Sequence, residues 1–290
     1  MIKNRNKNIN SIKSTKSIKN IKRVIHNLIL VIFSILWLFP IYVMLVDGLK
    51  SVSGVLTTPI LFPAKSSLGP LITVSVALAR PIFNSIVYTV PTAIISTYVG
   101  AMAAYYFYKK SRMINTLLFT IIAIATFVPY EITLLPLTGF ISSIGLFNSY
   151  LGIIIAMLIF YLPTGALLMS IFLAVMPKAT LESARIDGAN DWTIFNKIII
   201  PLTMPGFIST FVFILIESWN NFFIPLVLVT TPGMNSASLA LMSYTGGYGT
   251  LYNESFASAL VASLIPLIIF VFLGRYFIKG FQAFGTGKKG

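Results

Sequence analysis

Residues 176–205 read MPKATLESARIDGANDWTIFNKIIIPLTMP, and they lie between two long apolar runs. The stretch holds three of the chain's seven acids, Glu182, Asp187 and Asp191, beside three bases, Lys178, Arg185 and Lys197. Its pattern predicts two short helices. Thr180 is an N-cap residue type and opens the first. That places Glu182 in the first turn, where a carboxylate favours the positive end of the helix dipole. Asp187-Gly188 is a stop signal, because glycine supplies the positive φ that many helix ends need. Asn190 or Asp191 caps the second helix, and Phe195, Ile198 and Ile199 are spaced to share one of its faces. Leu181, Ser183 and Ala184 give the first helix a compact side suited to close docking in another protein's groove. The alternative is a connector lying flat on a membrane. Interfacial helices usually carry a Lys/Arg-rich face, and this one mixes signs.

The rest of the chain is far more apolar than this stretch. Of 290 residues, 57% are hydrophobic and only 10% charged, and the mean hydropathy is +0.89. Soluble domains carry about 25% charge, and disordered chains are charged and poor in apolar residues. Both classes are excluded, leaving a polytopic membrane protein. A bilayer core about 30 Å thick takes about 20 helical residues. Six runs meet that rule: 28–46, 82–108, 113–135, 150–175, 205–229 and 256–277. Their only charges are Glu131, Glu217 and Arg275. The runs are continuously apolar rather than alternating, which favours helices over a barrel. Pro40, Pro91, Pro163, Pro225 and Pro266 fall in or near spans and read as kinks. The first run is too long for a signal peptide and no small-residue cleavage site follows it, so it reads as a retained span. The organisation is therefore all-α. A basic tail (1–23) precedes a transmembrane domain (24–280) that contains the 176–204 loop, and a short tail follows (281–290).

The net charge of +14 comes from 21 Lys and Arg against seven acids. With the N-terminus inside, 18 of the 21 basic residues fall on the inner side and only Lys50, Lys65 and Arg80 on the outer. That bias puts both termini and the 176–204 loop in the cytoplasm. It also accounts for the net charge without a nucleic-acid partner. The chain has no Cys and one His. Thiol chemistry is excluded, and His26 has no neighbouring carboxylate with which to form a metal site, so it reads as interfacial. No catalytic group and no metal site are expected. The outer segments, including Tyr244-Thr245-Gly246-Gly247-Tyr248-Gly249, read as short structured loops or interfacial helices.

The 176–205 stretch resembles the EAA loop of ABC-importer permeases, specifically the carbohydrate-uptake group to which the maltose-type permeases belong. The match runs through Glu182, Ala184, Asp187, Gly188, Ala189, Phe195, Ile198, Pro201, Leu202 and Pro205. Ser183 departs from the usual Ala but stays small. Thr58-Pro59-Ile60-Leu61-Phe62-Pro63, Phe83-Asn84-Ser85, Trp219-Asn220-Asn221-Phe222 and Arg275-Tyr276-Phe277-Ile278-Lys279-Gly280 resemble further parts of the same group. The likeness covers about 25–290 and is weak at 64–80. It implies a type I importer permease fold in the cell membrane. It also implies a second, often different, permease, two copies of an ABC ATPase, and an extracytoplasmic sugar-binding protein. On that reading Glu182, Ser183, Ala184, Asp187, Gly188 and Ala189 couple to the ATPase as a coupling helix, in an alternating-access mechanism. ATP and Mg would sit on the ATPase subunits. This chain lacks a glycine-rich run ending in Gly-Lys-Ser/Thr, binds no cofactor of its own, and is not an enzyme.

Glu217, within Glu217-Ser218-Trp219-Asn220-Asn221, is expected mid-span. A charge there costs about 2.5–3.5 kcal/mol on insertion scales, so it should face the bundle or a watery cavity. Glu217, Trp219, Asn220 and Asn221 are candidates for lining the pathway or touching the partner permease; a buried interhelical hydrogen bond is the structural alternative. Glu131, after Pro129-Tyr130, reads as solvated at the outer interface. An ion-coupled secondary transporter would use Glu217, but no repeat or basic partner accompanies it. A membrane scaffold or enzyme finds no His-plus-carboxylate group. Within the ABC class, a glycerol phosphate importer would want mid-span bases, and there are none, which favours a neutral sugar.

Overall fold

The computed structural model describes residues 2–110, 112–245 and 251–286, with side chains for 22–110, 112–245 and 251–276. Its helices, in chain order, are α1 (Ile2–Gly48), α2 (Val52–Thr57), α3 (Gly69–Lys109), α4 (Met113–Ala125), α5 (Leu134–Ser143) and α6 (Tyr150–Ala174). There follow α7 (Lys178–Ile186), α8 (Asp191–Ile194), α9 (Ile200–Leu202), α10 (Met204–Asn220), α11 (Phe223–Leu228), α12 (Ala237–Ala240) and α13 (Tyr252–Thr286). No strand occurs among the described residues. Among the described residues, four helices are long and apolar enough to cross a membrane, and six segments are if each of two bent pairs is one span.

Several boundaries differ from the sequence reading. The basic segment 2–23 is helical and continuous with the first span. Residues 69–81, expected as outer loop, are the first three turns of α3. The expected single span 113–135 is broken, because α4 ends at Ala125 and the following turn and helix, Tyr130–Ser143, run off at 92°. Pro129 explains the break, since a proline lacks the amide donor and biases the preceding residue, Val128, away from the helical region. The run 205–229 also divides, into α10 and α11, at Asn221-Phe222. Residues Gly246, Gly247, Tyr248 and Gly249, and Lys288 and Lys289, lie outside the described residues.

The bundle is built on α3 crossing α6. At the crossing the two backbones touch. A Cβ on Gly100 would lie 2.4 Å from the Gly165 carbonyl carbon, and one on Gly165 would lie 2.2 Å from the Ser96 carbonyl oxygen. Membrane helices lack a hydrophobic drive to associate in lipid, so small residues that permit such close approach supply the packing. Gly206 of α10 is pressed on the Phe172 ring in the same way. By contrast, residues 28–42 of α1 are exposed and almost wholly apolar, with Trp37 80% exposed, as a helix bathed in lipid is.

The end of the bundle opposite α7 is closed by two polar clamps. Asp47 and Lys50 are both fully buried and paired at 2.5 Å. The Asp47 carboxylate also accepts from the Leu61 amide at 3.1 Å, and Leu61 holds φ +80°, a conformation costly for a residue with a Cβ. Lys50 donates to the Pro59 carbonyl at 2.8 Å and to the Tyr252 hydroxyl at 3.3 Å. The Asn253 amide donates to the Lys50 carbonyl at 2.8 Å. The charge pair thus pins the end of α1, the 58–66 loop and the start of α13 together. The second clamp is Asn84, also fully buried. It donates to the carbonyls of Gly233 and Asn235, each at 2.9 Å, and accepts from the Tyr150 hydroxyl at 2.8 Å. Ser85 accepts from the Ala237 amide. The Phe83-Asn84-Ser85 motif therefore holds the 230–240 loop onto α3.

Candidate functional site: the α7–α8 loop and a polar cleft

The 176–205 stretch folds as two short helices, with local differences. α7 begins at Lys178 after Pro177, whose side chain makes no cap. Thr180 therefore lies inside the helix and not at its N-cap, and Glu182 is beyond the first turn. The stop falls where Asp187-Gly188 placed it. Gly188 has φ +79°, its amide donates to the Arg185 carbonyl at 3.0 Å, and the Ala189 amide donates to the Ala184 carbonyl at 3.0 Å. This pair of bonds is the Schellman termination, in which the residue after the left-handed glycine reaches back over the last turn. The spacing Ala184…Gly188-Ala189 is the sequence trace of that geometry. Asn190 then caps α8, accepting from the Thr193 amide at 2.8 Å. A π turn, Phe195–Ile199, follows. It comes just before Pro201, whose ring clashes with the carbonyl four residues back in a regular α-helix.

The orientation of α7 corrects one expectation. Its compact side points inward: Leu181 and Ala184 are buried in a cluster with Ala101, Ala104, Tyr105, Phe172, Leu173 and Phe195. The outward side carries Glu182, Ser183, Asp187 and Gly188, all exposed, and Ile186, which is 86% exposed. Ala184 thus seats α7 on its own bundle, and Ala189 is half-buried against the same cluster. The loop is further tied to α3 at Asp191. Its carboxylate pairs with Lys109, accepts from the Tyr105 hydroxyl at 3.1 Å, and lies 3.9 Å from the Arg185 guanidinium. The Lys109 ammonium holds the Asp191 carboxyl below its ordinary range.

The second region is a cleft of about 320 Å³ lined by Tyr130, Phe160, Tyr161, Thr164, Glu217 and Asn221 among others. That volume is at the small end of the roughly 300–1,000 Å³ of ligand clefts. Glu217 and Asn221 are four residues apart and share a helix face. Glu217 is exposed into the cleft. Asn221 is buried, donates to the Tyr161 hydroxyl at 3.3 Å and accepts from the Ile224 amide at 3.1 Å. Trp219 falls on the other side of α10, 4% exposed, packed with Ala237 and Ala262. It fills the bundle and cannot stack on a solute. Asn220 is exposed but is not among the cleft residues. Tyr130, Phe160 and Tyr161, which the sequence reading passed over, supply the aromatic wall, with the Tyr130 and Phe160 rings 5.6 Å apart. The Pro129-Tyr130 turn was the available signal, because a break there aims a ring back at the bundle. No cluster of three or more metal-ligating residues occurs among the described residues.

Comparison with known proteins agrees with this architecture. Residues 96–283 match the family described as the binding-protein-dependent transport system inner membrane component.

The chain belongs to that family.

It is 55% identical over 274 residues to the glucose import system permease protein GlcU of Saccharolobus solfataricus, covering 92% of this chain and 96% of that protein. It is 28% identical over 270 residues to the arabinooligosaccharides transport system permease protein AraQ of Bacillus subtilis, covering 91% and 95%. A chain of the bacterial ABC transporter that imports the acidic polysaccharide alginate superposes with a TM-score of 0.71, at 23% identity, covering 89% of this chain and 96% of that one. The last likeness is one of fold. The protein is thus a multi-pass membrane permease of the ABC-importer class. This membership sets aside the ion-coupled transporter and the membrane enzyme.

Proposed function

We propose that this chain is one of two permease subunits of an ATP-driven sugar importer, with a monosaccharide of the glucose class as its solute. The observation that carries the reading is the outward face of α7, which presents Glu182, Ser183, Ile186, Asp187 and Gly188 beside an inward face locked to the bundle. A helix anchored on one side and exposed on the other, with one bare isoleucine amid charge, suits a partner's groove. The proposed partners are two ABC ATPases below, which hold ATP and Mg, a second permease beside, and an extracytoplasmic sugar-binding protein above. ATP-driven closure brings the two coupling helices together and turns the pathway outward. The basic residues of the α7 end, from Lys109 to Arg275, support a cytoplasmic position for that end.

The extensive identity to a glucose permease supports the choice of sugar. The cleft supports a neutral solute: its lining carries one carboxylate, Glu217, and no Lys or Arg. A carboxylate accepts from sugar hydroxyls but repels a phosphate, which argues against glycerol phosphate. In this reading Glu217 and Asn221 line the pathway, Asn220 faces the partner permease, and Trp219 supports them from behind.

The test is the charge reversal Glu182→Lys. The side chain faces solvent, so the variant is expected to reach the membrane at the level of the unaltered chain. Glucose uptake is expected to fall by about tenfold or more, as for loss of a charged contact at an interface, with less ATPase retained on purification. Undiminished uptake would remove Glu182 from the docking face.

A further inference from the structure

Tyr98, Tyr105 and Tyr108 stand seven and three residues apart on α3, so they share one face over about 15 Å of helix. Each hydroxyl holds a different part of the α7–α8 segment. Tyr108 donates to the Met176 carbonyl ahead of α7 at 2.8 Å. Tyr105 donates to Asp191 at the start of α8. Tyr98 donates to the Asn196 side chain in the π turn at 2.8 Å. The Phe195 ring sits between two of them, 5.4 Å from Tyr98 and 6.1 Å from Tyr105. Lys109 completes the row by pairing with Asp191.

Asp191 is where the row meets the loop, with Arg185 of α7 also close to its carboxylate. Its side chain is 56% exposed, so water could satisfy it. The exposure of Asp191 does not require its bonds, and they constrain position instead. α3 is in turn locked to α6 at Gly100 and Gly165. Near its middle Asn84 and Tyr88 hold the carbonyls of Gly233, Met234 and Asn235. α7 and α8 therefore cannot shift against the bundle without either moving α3 or breaking three tyrosine bonds and an ion pair.

We infer that Asp191 and the Tyr98–Tyr105–Tyr108 face of α3 are positioning residues that transmit displacement of the coupling helix to α3. Through α3 the movement reaches the 233–237 loop at the opposite end. This inference rests on the importer reading above. Coupling of this kind between two sites is a free energy that both ends share, so weakening the link lets hydrolysis run without transport.

The test uses the whole importer in proteoliposomes, with its binding protein, radiolabelled glucose and ATP. In Asp191→Asn and in the double variant Tyr98→Phe/Tyr105→Phe, the ATPase is expected to co-purify as before and hydrolysis to continue. Glucose moved per ATP is expected to fall about fivefold or more, the lower end of ordinary allosteric couplings. Asp191→Glu should restore most of the ratio, and so should the charge exchange Lys109→Asp with Asp191→Lys relative to either single change. A purely structural role would lower uptake and hydrolysis together. An unchanged ratio in these variants therefore overturns the inference while leaving the importer reading intact. If the unaltered chain brings no ATPase with it, the importer reading fails and this inference falls with it.

Discussion

Gly188→Val is expected to abolish sugar uptake while leaving the chain inserted in the membrane. The reason is conformation and not space. A Cβ at position 188 would meet nothing within 4 Å, yet the residue holds φ +79°. A residue with a side chain pays about 1–2 kcal/mol to enter the left-handed region, and a β-branched one pays most. The relief available to the valine variant is to undo the Schellman turn. That breaks the Ala189–Ala184 and Gly188–Arg185 bonds and lets α7 run on or fray. α8 then loses its place, and the outward face of α7 turns away from the proposed ATPase. Asn tolerates this conformation best after glycine, so Gly188→Asn should retain a substantial part of the uptake. Transport assays in cells, normalised to membrane-inserted protein, measure both. Equal uptake by the valine and asparagine variants would refute the role given to the turn.

Gly165→Ala should fail at an earlier step. Here φ is ordinary and space is absent: the added methyl would sit 2.2 Å from the Ser96 carbonyl oxygen. The obstacle is backbone, so no side-chain rotation relieves it and α3 must separate from α6. Overpacking costs about 1–3 kcal/mol where side chains can yield, and a main-chain obstacle should cost at least the upper figure. The α3–α6 crossing is the centre of the bundle, so the expected result is a severe loss of folded protein in detergent. Gly139→Ala is the control. Nothing lies within 4 Å of a Cβ there, and alanine is the better helix former by about 0.5–1 kcal/mol. Size-exclusion profiles and thermal unfolding of the two purified variants distinguish them. A normal profile for Gly165→Ala would mean that the two helices do not cross as closely as described.

The two glycines also mark what the sequence made legible. Gly188 could be read directly, because Asp-Gly after a helical stretch, followed by Asn before another, is local chemistry. The turn and the Asn190 cap sit where that chemistry placed them. Gly165 could not, because its partner, Ser96, is 69 residues away and a continuously apolar helix carries no periodic mark of its buried face. The same limit applies to α7. Leu181 and Ala184 were recognisable as a compact side, but only the packing shows that the side faces inward. On α10, the spacing of Glu217, Trp219 and Asn221 held the answer. The first and last share a face, and the tryptophan between them does not, so the cleft and the packing contact were separable on spacing alone. The bend after Ala125 was signalled by Pro129, which hydropathy averaging over 113–135 conceals. The Asp47–Lys50 pair was also accessible in principle as opposite charges three residues apart. Its full burial and its hold on Tyr252 and Asn253 depend on α13, far along the chain.

The central claim is that α7 couples this permease to an ATPase. Gentle solubilisation of native membranes through a tag on this chain, with identification of what accompanies it, tests that claim most directly. The account predicts an ABC ATPase and a second permease in comparable amounts, with ATP hydrolysis that rises when the binding protein and glucose are supplied. Recovery of the chain alone or as a homo-oligomer, with no ATPase bound, would contradict it.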